Sequence, residues 1–169
     1  MTPFTIEQFE NHVRTFDWKG AITHFHVHHT ADPIATWRGE ASVEAIRRYH
    51  MNIRKYRDFA QHVTLGPDGS IWLGRDWNLA PASATGHNGY DYQHRPFMVE
   101  VFADFRTDKL EGAQHDNLVR MIAAIQERFD LPPDAIRFHR EMQPTECPGA
   151  LDKAALVNAV KEQRDIGAA

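Results

Sequence analysis

Two short apolar runs, His62 to Leu65 and Ser70 to Leu73, are separated by Gly66-Pro67-Asp68-Gly69. Proline presets a turn-compatible φ and glycine accepts the left-handed backbone, so this segment reads as a β-hairpin. A hairpin in mid-chain needs partner strands, and the flanking sequence offers them. Residues Ile22 to His28 alternate, with Phe25 and Val27 on one face and His24, His26 and His28 on the other. That is strand spacing, and it ends where His29-Thr30-Ala31-Asp32-Pro33 reads as a loop. Phe97 to Phe102 and Ile136 to Phe138 are further strands.

Helical spacing fills the intervals. Thr5 and Gln8 form a capping box ahead of Phe9, Val13 and Phe16. Ser42 is placed to cap a helix carrying Val43, Ile46, His50 and Ile53. Leu118, Met121, Ile122, Ile125 and Phe129 trace one face of a helix that Pro132 and Pro133 stop, and Ala150 to Gln163 closes the chain as another. Trp77 to Arg95, rich in Asn, Gly, His and Tyr, reads as a long surface loop. The expected architecture is α/β, a mixed central β-sheet flanked by helices. Residues 1–169 are expected to form one domain, with residues 1–20 a helical extension packed on it.

Composition narrows the function classes. With 42% hydrophobic and 25% charged residues, the chain reads as an ordinary globular protein. It lacks the ~20-residue apolar run of a membrane span and a recognisable secretory signal. Synthesis in the cytoplasm is therefore expected. The net charge is −4, and the densest basic stretch (Arg47, Arg48, Arg54, Lys55 and Arg57) reads as the solvated face of a helix. No nucleic-acid partner is expected, and the chain is expected to be a monomer. The single cysteine excludes an internal disulfide. Eleven histidines beside it raise the question of a metal site.

Catalytic zinc commonly takes three protein ligands and leaves a fourth position open. In Phe138-His139-Arg140-Glu141-Met142-Gln143-Pro144-Thr145-Glu146-Cys147-Pro148-Gly149, a His at a strand end and a Cys in a Pro/Gly-bounded loop can fold towards each other. Val27-His28-His29-Thr30 offers the other half-site. Because His24, His26 and His28 share a face, spacing alone does not decide which of them binds metal.

The run VHHTA, the hairpin HVTLGPDGSIWLGR, the loop ATGHNG and the ending FHREMQPTECPG stand in that order. Together they resemble the zinc N-acetylmuramoyl-L-alanine amidases, the superfamily of phage lysozyme-type amidases and peptidoglycan recognition proteins. The resemblance runs from about Ile22 to Val160. It implies one zinc ion per chain in a surface groove, bound by His28, His139 and Cys147. The implied activity is hydrolysis of the amide joining N-acetylmuramic acid to L-alanine in peptidoglycan. A phage endolysin, acting on the cell wall after release from the host cytoplasm, is the expected setting.

One position departs from the family pattern. Many members carry a catalytic Tyr before the hairpin's first His, and here that residue is Gln61, which does not titrate. Glu100 stands in an otherwise apolar strand, where an unpartnered carboxylate is costly. It resembles the strand Glu that some Tyr-lacking relatives use as base. Thr145 occupies a position that steadies the transition state in relatives, and His87, Asn88 and Gln61 are candidate substrate contacts. Two alternatives remain: a peptidoglycan-binding module that does not cut, and a zinc hydrolase of another cell-wall amide.

Overall fold

The computed structural model describes residues 1–168. Among these residues there are four α-helices and five strands: α1 (Ile6–Thr15), β1 (Ala21–His29), α2 (Glu40–Asn52), β2 (Val63–Leu65), β3 (Ile71–Leu73), β4 (His94–Val101), α3 (Gly112–Arg128), β5 (Ile136–Phe138) and α4 (Lys153–Ala168). The sheet runs β3-β2-β4-β1-β5. β1 pairs in parallel with β4 and β5, β2 pairs in parallel with β4, and only the β2–β3 hairpin is antiparallel. The sheet is therefore mixed, as the hairpin and the intervening helices require.

Register makes its two faces chemically different. Val27 lies beside Val99 and Phe138, and Val63 beside Val99, so aliphatic and aromatic side chains share one face. With Phe9 and Val13 of α1, Leu118, Ile122 and Ile125 of α3, and Leu156 and Val160 of α4, they form the main core. On the other face Glu100 pairs with His28 on one side and with Thr64 on the other, and Thr64 pairs in turn with Trp72. Val43 of α2 joins Trp72 and Phe59 in a second, smaller cluster. Helices thus cover both faces, one with a large apolar layer and the other only in part.

Several sequence expectations change in detail. The α1 capping box forms, with the Gln8 N–H donating to Thr5 Oγ1 and the Thr5 N–H donating to Gln8 Oε1. Ser42 is not the cap of α2. Gly39 occupies that position with a positive φ, and the Ser42 hydroxyl accepts from the Arg38 N–H instead. α2 ends at Asn52, so Ile53, Arg54, Lys55 and Arg57 lie beyond the helix. α3 stops at Arg128, before the two prolines.

The segment from Trp77 to Arg95 is not merely surface loop. Trp77 is buried in the core against Phe9, Trp18 and Phe97. Arg95 is fully buried and, among the described residues, has no carboxylate partner; it donates to the carbonyls of Trp77, Lys19 and Gln93 and to Asn78 Oδ1. A buried guanidinium needs this degree of satisfaction. It ties the segment to the chain entering β1.

Candidate metal centre

β1 ends at the site because its alternation changes meaning there. Phe25 and Val27 point into the helix-covered core, leaving His26 and His28 on the opposite face. His139 follows β5 directly, in a short 3-10 turn from His139 to Glu141. The turn is held by the Glu141 carboxylate, which accepts from the Phe138 N–H at 2.6 Å and from Lys153 Nζ at 2.6 Å.

Cys147 is brought in by the loop that follows. The Arg140 N–H donates to the Cys147 carbonyl, and the Arg140 guanidinium donates to the carbonyls of Gly149 and Leu151. Gly149 has a φ of +66°, and a Cβ there would lie 2.7 Å from the Phe105 carbonyl carbon. Only glycine allows the loop to turn so close to Phe105.

The donor atoms of His28, His139 and Cys147 lie within 4.8 Å of one another, the one such group of three among the described residues. The imidazoles of His28 and His139 are 4.6 Å apart between ring centres. His24 and His26 are not part of the group. His24 sits at the edge near Arg137, while His26 is buried with Nδ1 unpartnered.

The three residues fit a bound metal. His28 Nε2 is buried and has no hydrogen-bond partner among the described residues, an expensive arrangement for a polar atom unless a ligand completes it. Burial, with His139 next in weight, holds the His28 pKa well below that of a free imidazole, so the ring is neutral. His139 Nε2 is 2.7 Å from Gln143 Oε1, a contact that orients the ring and commits that nitrogen. Burial pushes the Cys147 thiol up to about 12, and the His29 N–H points at its sulfur from 3.4 Å. Two imidazoles and one thiol match the donor preferences of zinc.

Beside this trio opens a cleft of about 640 Å³ whose walls include His29, Asp32, Tyr49, His50, Glu100 and His139. Glu100 lies across from His28 on the adjacent strand, and burial pushes its carboxyl up to about 8. Its contact is His50 of α2, with Nε2 3.6 Å from Oε1. Both side chains are largely buried.

The other sequence candidates are placed differently. Gln61 is fully buried, its amide donating to Thr64 Oγ1 at 2.9 Å, so it lies off the cleft wall. Thr145 is exposed, and its hydroxyl accepts from the Cys147 N–H at 3.3 Å. His87 is exposed on a turn closed by its N–H to the Ala84 carbonyl, and Asn88 Oδ1 is buried without a partner. The sequence reading missed His50 as a site residue. Its only sequence signal was a histidine on the apolar face of a helix.

Comparison with known proteins gives the family and the fold. Residues 18–150 match the family model described as N-acetylmuramoyl-L-alanine amidase. Peptidoglycan-recognition protein SC2 of Drosophila melanogaster is 26% identical over 73% of this chain and 66% of its own length. An N-acetylmuramoyl-L-alanine amidase of Mus musculus is 30% identical over 73% of this chain, but the match spans only 24% of that protein. Among solved structures, the endolysin amidase LysCS from Clostridium intestinale URNW superposes with a TM-score of 0.67 at 19% identity, covering 86% of this chain and 85% of that one. That likeness speaks for the fold. By its sequence from residue 18 to residue 150, this chain belongs to the N-acetylmuramoyl-L-alanine amidase family.

Proposed function

We propose that the chain is a zinc-dependent hydrolase cleaving the amide between N-acetylmuramic acid and L-alanine in peptidoglycan, of the phage endolysin type and acting as a monomer. The observation that carries this reading is the placement of Glu100 directly across from His28 on the adjacent strand, with His139 and Cys147 completing the His/His/Cys trio from the segment after β5, beside a cleft that Glu100 and His139 line. His28, His139 and Cys147 would hold the zinc. The chemistry zinc supplies when bound is Lewis acidity towards a water and the scissile carbonyl.

The remaining work falls to the chain. Glu100 takes the proton from the attacking water and returns it to the departing amide nitrogen, a base becoming an acid at one site. Thr145, whose position the metal loop fixes, offers its hydroxyl proton to the developing oxyanion. His87 and Asn88 contact the muramyl peptide from the loop before β4.

A second reading has one observation in its favour. Gln61 stands where many relatives carry a catalytic Tyr, and it is buried and non-titrating, so a module that binds peptidoglycan without cutting is the competing function. Incubation with purified sacculi, followed by mass spectrometry of the new termini, separates the two. Release of free L-alanine amino termini supports the amidase. Tight sacculus binding with no new termini, zinc being present, overturns it. New termini at a different bond would instead assign the chain to another cell-wall amide.

The wall is reached after release from the cytoplasm, in this reading through a membrane lesion. Among the described residues no helix is long and apolar enough to cross a membrane.

A further inference from the structure

Glu100 has no side-chain hydrogen bond within the chain among the described residues, yet a base must present its carboxylate in a fixed direction. One side chain is built to fix it. His50 lies on the buried side of α2, in its last turn, and its Nδ1 accepts from the Ala60 N–H at 3.1 Å. A neutral imidazole has one acceptor and one donor nitrogen, so this bond leaves the proton on Nε2. That N–H is directed to the cleft, with Nε2 3.6 Å from Glu100 Oε1. A shift of a few tenths of an ångström makes this a hydrogen bond of ordinary length.

We propose that His50 is a positioning residue for the reaction: its backbone-locked Nε2–H holds Glu100 Oε1, leaving the other carboxylate oxygen to face the metal trio. The inference rests on the reading of Glu100 as the base. Through Ala60 the same ring also anchors the chain leading into β2, so a loss of activity on removing it would not by itself reveal a positioning role. Two amide substitutions separate the functions. In His50→Asn the short side chain can reproduce the acceptor at Nδ1 but not the donor at Nε2. In His50→Gln the longer amide can reproduce the donor while losing the acceptor.

The test measures zinc content, thermal midpoint, kcat and KM of the zinc-loaded variants on a soluble muramoyl-peptide. His50→Asn should keep zinc, fold and KM while kcat falls about ten- to a hundredfold, the usual cost of a misdirected catalytic group. His50→Gln should melt earlier yet keep kcat within about threefold of wild type, as expected if only the donor matters for rate. The opposite ranking, with Asn active and Gln impaired, assigns His50 a purely structural role and overturns the inference.

A readout independent of turnover covers the case of a variant that fails to fold. Nitrogen-15 NMR of the wild-type protein, with and without zinc, should show His50 as the Nε2–H tautomer, and Glu100→Ala should move that proton resonance upfield. The Nδ1–H tautomer, or no response to Glu100→Ala, overturns the inference. Failure of the underlying reading looks different. Glu100→Gln at the wild-type rate removes the base assignment, and His50's role with it. An inactive Glu100→Gln beside a fully active His50→Asn removes only the role of His50.

Discussion

At Cys147 the sulfur sits where burial opposes charge and pushes the thiol up to about 12. A cation that both imidazoles can share reverses that balance, because a coordinated thiol gives up its proton. The proposed zinc should therefore bind with proton release, and Cys147→Ser should lose metal and hydrolysis together. Elemental analysis finding one zinc per chain in Cys147→Ser would remove the ligand assignment. Glu100 and Gln61 make a matched pair for the catalytic step. Glu100→Gln should keep zinc and fold while the rate falls about two to four orders of magnitude, the usual worth of acid–base catalysis. Gln61→Ala should lower stability more than rate, because Gln61 is buried and its amide is committed to Thr64. Steady-state rates beside thermal midpoints for the two variants check that ranking.

Among the elements, β4 carries most of what the sequence made legible. Phe97, Val99 and Val101 face the main core, while Glu100, on the alternate face with the buried Met98, faces the cleft. The alternation of β1 was readable for the same reason: the sheet's two faces have different surroundings, and the residue types follow them. What stayed hidden depends on distant partners. Arg95 looked like a loop residue because three of its four acceptors are backbone carbonyls, which no side-chain pattern announces. His50 looked like a core residue because its contact, Glu100, lies fifty positions away. The α2 cap was misplaced because Gly39 adopts a conformation that no local motif near Ser42 encodes. His62 shows how such hidden contacts become measurable. Its Nδ1 accepts from the Met98 N–H, its Nε2–H donates to the Leu79 carbonyl, and it has no exposed surface. Burial pushes its pKa down to about 3 from the ordinary 6.5. Above pH 6.5 folded and unfolded forms both leave the ring neutral, so it adds no pH dependence. Between about 6.5 and 3 only the unfolded chain takes the proton, so stability should fall as pH falls, by up to ~1.4 kcal/mol per pH unit for this one group. Denaturant unfolding at pH 7 and pH 5 should show a smaller acid loss in His62→Gln than in wild type. Equal losses would mean that other groups account for the acid sensitivity.

Across the whole molecule, the family match begins at residue 18, while the core begins earlier. Phe9 of α1 is fully buried, 5.5 Å from Trp77 and 6.1 Å from Phe97 between ring centres, and Arg120 of α3 holds Glu7 and Glu10 of the same helix. The first helix is thus part of the layer that covers the sheet opposite the metal trio. Phe97 belongs to β4, the strand that also presents Glu100 on the other face. Phe9→Ala should therefore cost about 3–5 kcal/mol, the usual range for deleting a buried phenyl group. It should do so without touching any residue of the site. Because zinc would bind only the folded chain, its contribution adds as a mass-action term of ~1.4 kcal/mol for each tenfold excess over the dissociation constant. Zinc should then raise the unfolding free energy of Phe9→Ala and of wild type by the same amount, and leave Cys147→Ser unchanged. Denaturant titrations of all three proteins with zinc and with chelator would measure this. A zinc increment that vanished in Phe9→Ala would show that α1 shapes the metal site through the sheet, and the two faces could no longer be treated as energetically separate.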